Sequence, residues 1–383
     1  MKLENVYLNR TASFLPNEAI SNDEMESYLG MIDNRESKVK KLVLRINGIL
    51  TRYYAIDKNS GQRTHSNAQM TAEAVRRLSG EGLSLDDIEC LACGTSSPDQ
   101  LLPSHAVMVH GEIKSPHCEV ISTSGVCSSG MQAFKYGFLS VLSGQTRNAV
   151  CTGSELSSAC MRGTQFEDEI QNRKLESIKK KPVLSFEKEF LRWMLSDGAG
   201  AFFLENKPNP EGLSLKVEWI DLYSFAHELP VCMYMGANKN EDGSLTGFRD
   251  YSVEELGNDS ILSLKQDVRL LNEHMVNIGI RSLKMSSEKH GFEFKEIDYF
   301  LPHVSSHLFA DELEKGFIES DVQLPRTNWF LNLATVGNIG SASIYLMLDE
   351  LYHSGKIEPG NKILLAVPES GRFSMGFALM TAQ

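Results

Sequence analysis

No stretch of this 383-residue chain reaches the roughly 18 to 20 consecutive apolar residues that a membrane-spanning helix needs. The opening MKLENVYLNRTASFLPN has one early lysine and no apolar run behind it, which is not the pattern of a secretory signal. Positive charge is scarce as well. Against 50 Asp and Glu stand 38 Lys and Arg, and the net charge of −12 has the wrong sign for a nucleic-acid partner. Cysteine is too sparse and too irregular for a disulfide framework, with seven residues and hence one that could not pair. A reduced, cytoplasmic protein is the expectation.

Metal ligands in sets are missing too. Cys90 and Cys93 form a CxxC, but no second pair or nearby histidine pair joins them, and they sit in the apolar run IECLAC, which reads as strand core. His307 follows His303 by four residues without an intervening acid or third ligand. No metal and no cofactor is expected. What remains is an ordinary globular balance, 42% hydrophobic and 23% charged, long enough for one large core or two fused halves.

The chain repeats itself. DDIECLACGTSS, ending at Ser97, corresponds to KEIDYFLPHVSS, ending at Ser306, with a spacing of 209 (88 to 297, 96 to 305). Further on, CSSGMQAFKYGFLSVLSG from Cys127 corresponds to NIGSASIYLMLDELYHSG from Asn338, with a spacing of 211 (127 to 338, 144 to 355). Two matches in the same order describe one duplicated unit. In this register His303 takes the place of Gly94, and Asn338 the place of Cys127. Packing the halves about a pseudo-twofold axis would bring Cys127, His303 and Asn338 to one centre.

Within each half, strand and helix patterns alternate. ECLACGTS, NAVCTGS, GAFFLE, IDYFLPHV and KILLAVP are short apolar runs suited to buried strands. Ala68–Leu78, Ser128–Leu142 and Ser341–His353 have helical apolar spacing. The expectation is a layered α/β fold in two halves, 1–205 and 206–383. A charged segment, 162–192, interrupts the first half and breaks at Pro182. It reads as a surface insertion, either a lid or interface arm or a plain solvated loop with a helix.

Cys127 lies where an apolar strand end gives way to a helix, among Ser124, Gly125, Ser128, Ser129 and Gly130. A helix N-terminus favours thiolate, and small neighbours let a thioester approach the backbone. On its own the residue is more often a buried structural cysteine.

The ordered pieces GILTR (Gly48–Arg52), GTSSPDQLLPS (Gly94–Ser104), GVCSSG around Cys127, SDGAGA (Ser196–Ala201), LPHVSSH (Leu301–His307), VGNIGSAS (Val336–Ser343) and SGRFSMGFAL (Ser370–Leu379) resemble the β-ketoacyl-acyl-carrier-protein synthase III family of the thiolase superfamily. The resemblance spans nearly the whole chain outside 162–192. It implies an αβαβα sandwich and a cytoplasmic homodimeric acyltransferase. Such an enzyme performs Claisen-type condensation of carrier-protein or coenzyme A thioesters in fatty-acid or polyketide synthesis. Cys127 would carry the acyl group as a thioester. His303 and Asn338 would donate to the developing enolate oxygen. The backbone N–H groups of Cys127 and Gly371 would form the oxyanion hole, and Leu102, Ser305 and Phe373 would line the substrate pocket, Leu102 from across the dimer interface.

Several positions depart from the family pattern. The active-site histidine continues as Val304-Ser305-Ser306 instead of Gln-Ala-Asn, and Leu42 and Ile46 stand where an aromatic and an arginine would grip coenzyme A. That favours carrier-protein thioesters and a secondary-metabolism relative such as a dialkylresorcinol-forming ketosynthase. Docking of an acidic carrier would need a basic patch, for which Lys38, Lys40 and Lys41 or Lys179–Lys181 are candidates. Ser370 and Arg372 flank Gly371. Leu101 and Leu102 occupy the neighbourhood where non-decarboxylating relatives carry a glutamate base. Transfer of the acyl group to an alcohol or amine, and head-to-head condensation without decarboxylation, are the alternative reactions.

Overall fold

The computed structural model describes residues 3–80, 82–175 and 186–383. Its main sheet has nine strands: β1 (Tyr7–Phe14), β2 (Cys90–Thr95), β3 (Glu119–Ser124), β4 (Asn148–Leu156), β5 (Asp197–Glu205), β6 (Leu215–Ser224), β7 (Tyr299–Pro302), β8 (Lys362–Glu369) and β9 (Ser374–Ala382). The order is β7-β8-β9-β6-β1-β5-β4-β2-β3.

The sheet consists of two runs built to one plan. From one end, β2 is parallel to β3 and β4, β5 runs antiparallel to β4, and β1 antiparallel to β5. From the other, β7 is parallel to β8, β9 runs antiparallel to β8, and β6 antiparallel to β9. The runs meet through only Tyr7↔Lys216 and Leu8↔Leu215. β3 has no counterpart. The spacing of 209 recurs in the elements themselves, since the 3-10 turns Leu85–Asp87 and Phe294–Glu296 precede β2 and β7, which start at Cys90 and Tyr299.

The helices used below are α1 (Asn67–Arg76), α2 (His105–Ile113), α3 (Ser129–Leu142), α4 (Glu167–Leu175), α5 (Phe186–Arg192), α6 (Val268–His290), α7 (His307–Glu319) and α8 (Ser343–Tyr352). Strand side chains alternate in direction, and here both faces are covered. Leu91 and Cys93 of β2 face the layer of α1 and α2, while Cys90 and Ala92 face α3 and α8. In the other run, Leu364 and Ala366 face α6 and α7, and Ile363, Leu365 and Val367 face α3 and α8. The layers are therefore helix, sheet, helix, sheet, helix. Cys90 and Cys93 sit on opposite faces of one strand and cannot share a metal, so the CxxC is strand core.

The middle layer is the tightest. Tyr345 Oη of α8 donates to the Gly130 carbonyl of α3 at 2.8 Å. A Cβ on Gly130 would lie 2.3 Å from Ser341 O, so this helix crossing admits only glycine. Tyr345 stacks on Phe202 at 4.0 Å, and Phe134 meets Phe202 edge-on at 5.4 Å, tying both helices to β5. Cys127 and Asn338 stand at the starts of the two helical segments of this layer.

Candidate active site

Cys127 occupies the turn between β3 and α3 and is buried. The α3 N-cap, Ser128, makes no local side-chain cap. The capping acceptor comes instead from the far half of the chain. Glu369, at the end of β8, receives the Val126 N–H at 3.4 Å, the Ser128 N–H at 3.2 Å and the Ser128 hydroxyl on one carboxylate oxygen. A carboxylate at this position satisfies donors that the helix itself leaves open and complements its dipole.

His303 directly follows β7, where its N–H donates to Ala366 O at 2.8 Å and continues the parallel ladder. Asn338 is gripped on both sides of its backbone, donating to Met194 O at 3.1 Å and accepting from Ser196 N at 2.8 Å. Its Oδ1 accepts from Gly340 N–H at 2.9 Å. With the oxygen engaged, Nδ2 is the end left as a donor.

All three side chains line one cavity, together with Phe190, Met194, Met233 and Gln266. Ser305 lies on the same wall. Leu102, expected to reach a partner's pocket, is 85% exposed, and Phe373, expected in the pocket, is fully buried among the α6 and α7 core residues. Neither lines this chain's own cavity. Gly371 sits beside the Cys127 turn, where an added Cβ would be 3.1 Å from Val126 Cγ2. The backbone N–H groups of Cys127 and Gly371 donate to no backbone acceptor among the described residues.

The electrostatics differ from the sequence expectation in one respect. A helix N-terminus favours thiolate, yet burial pushes the Cys127 thiol well above its ordinary value, and the nearby carboxylates of Glu369 and Glu155 push it further. Desolvation outweighs the helix end, and the resting residue is a thiol. Burial likewise lowers His303 to about 4, so its imidazole is neutral, with one N–H to donate and one lone pair to accept.

Two residues of the site were not singled out from sequence, Glu369 and Glu155. Glu155 is buried and accepts from Ser96 N–H at 3.1 Å, Ser96 Oγ at 2.7 Å, Ser97 Oγ at 2.6 Å and Ser341 N–H at 3.3 Å. It binds the end of β2 to the turn after Asn338. The available signal was an acid closing an apolar strand run, in GSEL and in LLAVPE.

The charged insertion is more than a surface feature. Phe190 and Leu191 of α5 form part of the cavity wall. Arg192 is buried against the carbonyls of Met161 at 2.9 Å, Leu29 at 3.3 Å and Gly30. Lys188 reaches Glu169 of α4 at 2.6 Å and Asp259 O at 2.7 Å. The run Lys179–Lys181 lies outside the described residues. Of the other basic candidates, Lys40 is bound to Glu26 at 2.9 Å. Leu42 and Ile46 lie on the helix Lys40–Asn47, Leu42 exposed and Ile46 half-buried. The His307 ring packs against Gly48. Among the described residues no group of three or more His, Cys, Asp or Glu could hold a metal, and no helix is long and apolar enough to cross a membrane.

This architecture is that of the thiolase fold. Residues 287–381 match the family model for the 3-oxoacyl-[acyl-carrier-protein (ACP)] synthase III C terminal. A β-ketoacyl-[acyl-carrier-protein] synthase III of Clostridium perfringens is 22% identical, over 96% of this chain and 96% of that one. The acetoacetyl CoA synthase NphT7 of a Streptomyces species is 24% identical, over 97% and 96%. Among solved structures, the tetronic acid condensing enzyme AbyA1 superposes with a TM-score of 0.74 at 21% identity, covering 98% of this chain and 99% of that one. An OleA variant of Xanthomonas campestris gives 0.72 at 18% identity, covering 100% and 99%. Over nearly its whole length the chain is similar to β-ketoacyl-[acyl-carrier-protein] synthase III enzymes, and it is an acyl-transferring enzyme of Claisen-type condensation.

Proposed function

We propose that the enzyme condenses two thioesters in two transfers through an acyl group carried on Cys127. In the first, Cys127 sulfur bonds to the acyl carbon, the donor thioester C–S bond breaks, and the donor leaves as a thiol with the Cys127 proton. Neutral His303 is the group able to accept that proton in transit. The N–H groups of Cys127 and Gly371 hold the tetrahedral oxyanion. In the second, a carbon nucleophile attacks the acyl-Cys127 carbonyl, a carbon–carbon bond forms, and Cys127 departs. His303 N–H and Asn338 Nδ2 donate to the thioester oxygen of the nucleophile while its enolate charge develops.

The observation that carries this reading is a single apolar-walled cavity bearing the sulfur, the imidazole and the carboxamide. No Asp or Glu lines that cavity among the described residues. This favours a nucleophile that brings its own activation, either a carboxylate to lose as CO₂ or a second carbonyl that acidifies its carbon. Leu42 and Ile46 favour carrier-protein thioesters over coenzyme A, because neither offers the flat ring or cation that an adenine end would use. The functional unit is a homodimer in the reducing cytoplasm. Supporting this, β3 is an end strand of half-buried residues, and the loop before α2 exposes Leu101 and Leu102.

The test is a pair of separated assays on His303→Ala and Asn338→Ala. Both variants should still acquire one acyl group from an acyl-carrier thioester, and both should lose carbon–carbon product by about a hundred-fold or more. Full condensation by either variant would refute the assignment. So would an oxygen ester as the wild-type product.

A further inference from the structure

The peptide joining Ser370 to Gly371 carries the N–H assigned above to the oxyanion, and a distant part of the chain holds it from both sides. On one side, Gly371 O accepts the Cys232 N–H at 2.9 Å and the Met233 N–H at 3.2 Å. On the other, the Ser370 hydroxyl donates to Gln266 Oε1 at 3.4 Å and lies 3.8 Å from Met233 Sδ. Two short strands, Met233–Tyr234 and Lys265–Gln266, pair antiparallel with Met233 opposite Gln266. The loop does not rest on local preference alone. Phe373, two residues on, has φ +57°, a conformation a bulky side chain keeps only where its surroundings impose it.

Gln266 joins the two sides. It is buried and lines the catalytic cavity. Its Nε2 donates to Cys232 Sγ at 3.2 Å, while the Cys232 thiol gives its own hydrogen to Asp267 O at 3.3 Å. Its Oε1 is the acceptor that faces Ser370. A carboxamide presents donor and acceptor on one flat group, and placing it among apolar walls carries a desolvation cost that a side chain such as Met would avoid.

We infer that Gln266 is a positioning residue for the oxyanion donor: by bridging Cys232 and Ser370 it fixes the peptide that presents the Gly371 N–H. The inference rests on the oxyanion role proposed for that N–H. Gln266 acts through its two neighbours and not through the substrate, so its effect belongs to the step in which charge develops on the thioester oxygen and not to binding. A reaction of Cys127 that forms no oxyanion is indifferent to it.

The experiment compares wild type with Gln266→Met, which keeps the size and removes the carboxamide, with Cys232→Ala and Ser370→Ala, and with each of these two added to Gln266→Met. Thermal melts check the fold. Acylation of Cys127 is followed in single turnover by intact-protein mass, using whichever of acetyl, octanoyl and dodecanoyl pantetheine acylates the wild type fastest. Removing an oxyanion donor outright costs about 10²–10³-fold, and displacing one costs less, so Gln266→Met should lower the maximal rate about 20-fold at an unchanged half-saturating concentration. Alkylation of Cys127 by iodoacetamide, which displaces iodide at a saturated carbon, should be unchanged. Cys232→Ala and Ser370→Ala should each lose part of the same rate, and each double variant should match Gln266→Met to within about twofold. A parallel loss of alkylation would reduce Gln266 to a general support of the site and overturn the inference. A raised half-saturating concentration at full maximal rate, unchanged acylation, or losses that multiply in the double variants would overturn it as well. Absence of acyl-Cys127 in the wild type would instead count against the condensing reading itself.

Discussion

Replacing Glu369 separates two effects that one carboxylate exerts on the turn that holds Cys127. In Glu369→Ala the Ser128 N–H and hydroxyl lose their acceptor in a buried setting, and the N-terminus of α3 loses a negative charge. An orphaned buried donor costs about 1 to 3 kcal/mol, and the helix-end charge adds about 0.3 to 1 kcal/mol. Some of this is recovered by rearrangement, which leaves an expected loss of about 3 kcal/mol. For a chain of 383 residues that is a fall of about 4 °C in Tm. Glu369→Gln keeps the acceptor and removes the charge, so its cost should be nearer 1 kcal/mol. The charge also raises the Cys127 thiol. Removing it favours thiolate, and Cys127 in Glu369→Gln should be alkylated by iodoacetamide about tenfold faster at pH 8. Peptide mass mapping separates Cys127 from the other cysteines. Slower or unchanged alkylation in Glu369→Gln, with an unchanged melt in Glu369→Ala, would strip Glu369 of both roles.

Gly48 has φ +69° and a Cβ there would meet the His307 ring at 2.4 Å. Gly48→Ala should therefore cost about 2 to 3 kcal/mol in urea unfolding and disturb the start of α7. Acid should also weaken the fold through two histidines. Burial lowers His303 and His105 to about 4 from an ordinary value near 6.5, so the unfolded chain takes up protons first and stability falls as pH drops from about 6.5 toward 4. Asp197, raised by burial to about 6, acts with the opposite sign, gaining stability as pH falls below about 6. Each histidine's share of the loss is about 3 kcal/mol. His303→Gln should make the fall of stability toward pH 4 shallower by about that amount, as read by denaturant titration.

The helix periods and buried strand runs carried the fold class, because strands covered on both faces write themselves as continuous apolar stretches. β2 and β8 are of this kind. β1, β3, β6 and β9 lie outside the apolar runs. β6, LKVEWIDLYS, carries charge at Lys216, Glu218 and Asp221 and borders the join between half-sheets, so its pattern mixes exposure and burial. The meeting of Cys127, His303 and Asn338 at one cavity was legible because a duplication aligned Cys127 with Asn338 and placed His303 opposite Gly94. The carboxylates that hold them were not, since Glu369 finds Ser128 across 241 positions and Glu155 finds Ser341 across 186. Local pattern has no access to such pairings. The same holds for Phe190 and Leu191, two apolar residues in a segment dominated by charge, and for Phe373, whose aromatic character in the glycine loop serves the α6 and α7 core.

Every step of the proposed reaction passes through an acyl group on Cys127 sulfur. Intact-protein mass after incubation with an acyl-carrier thioester reads this out. One added acyl group is expected in the wild type, located on the Cys127 peptide, and none in Cys127→Ala. An equal mass gain in Cys127→Ala, or an acyl group found on another residue of the wild type, would show that the sulfur is not the carrier.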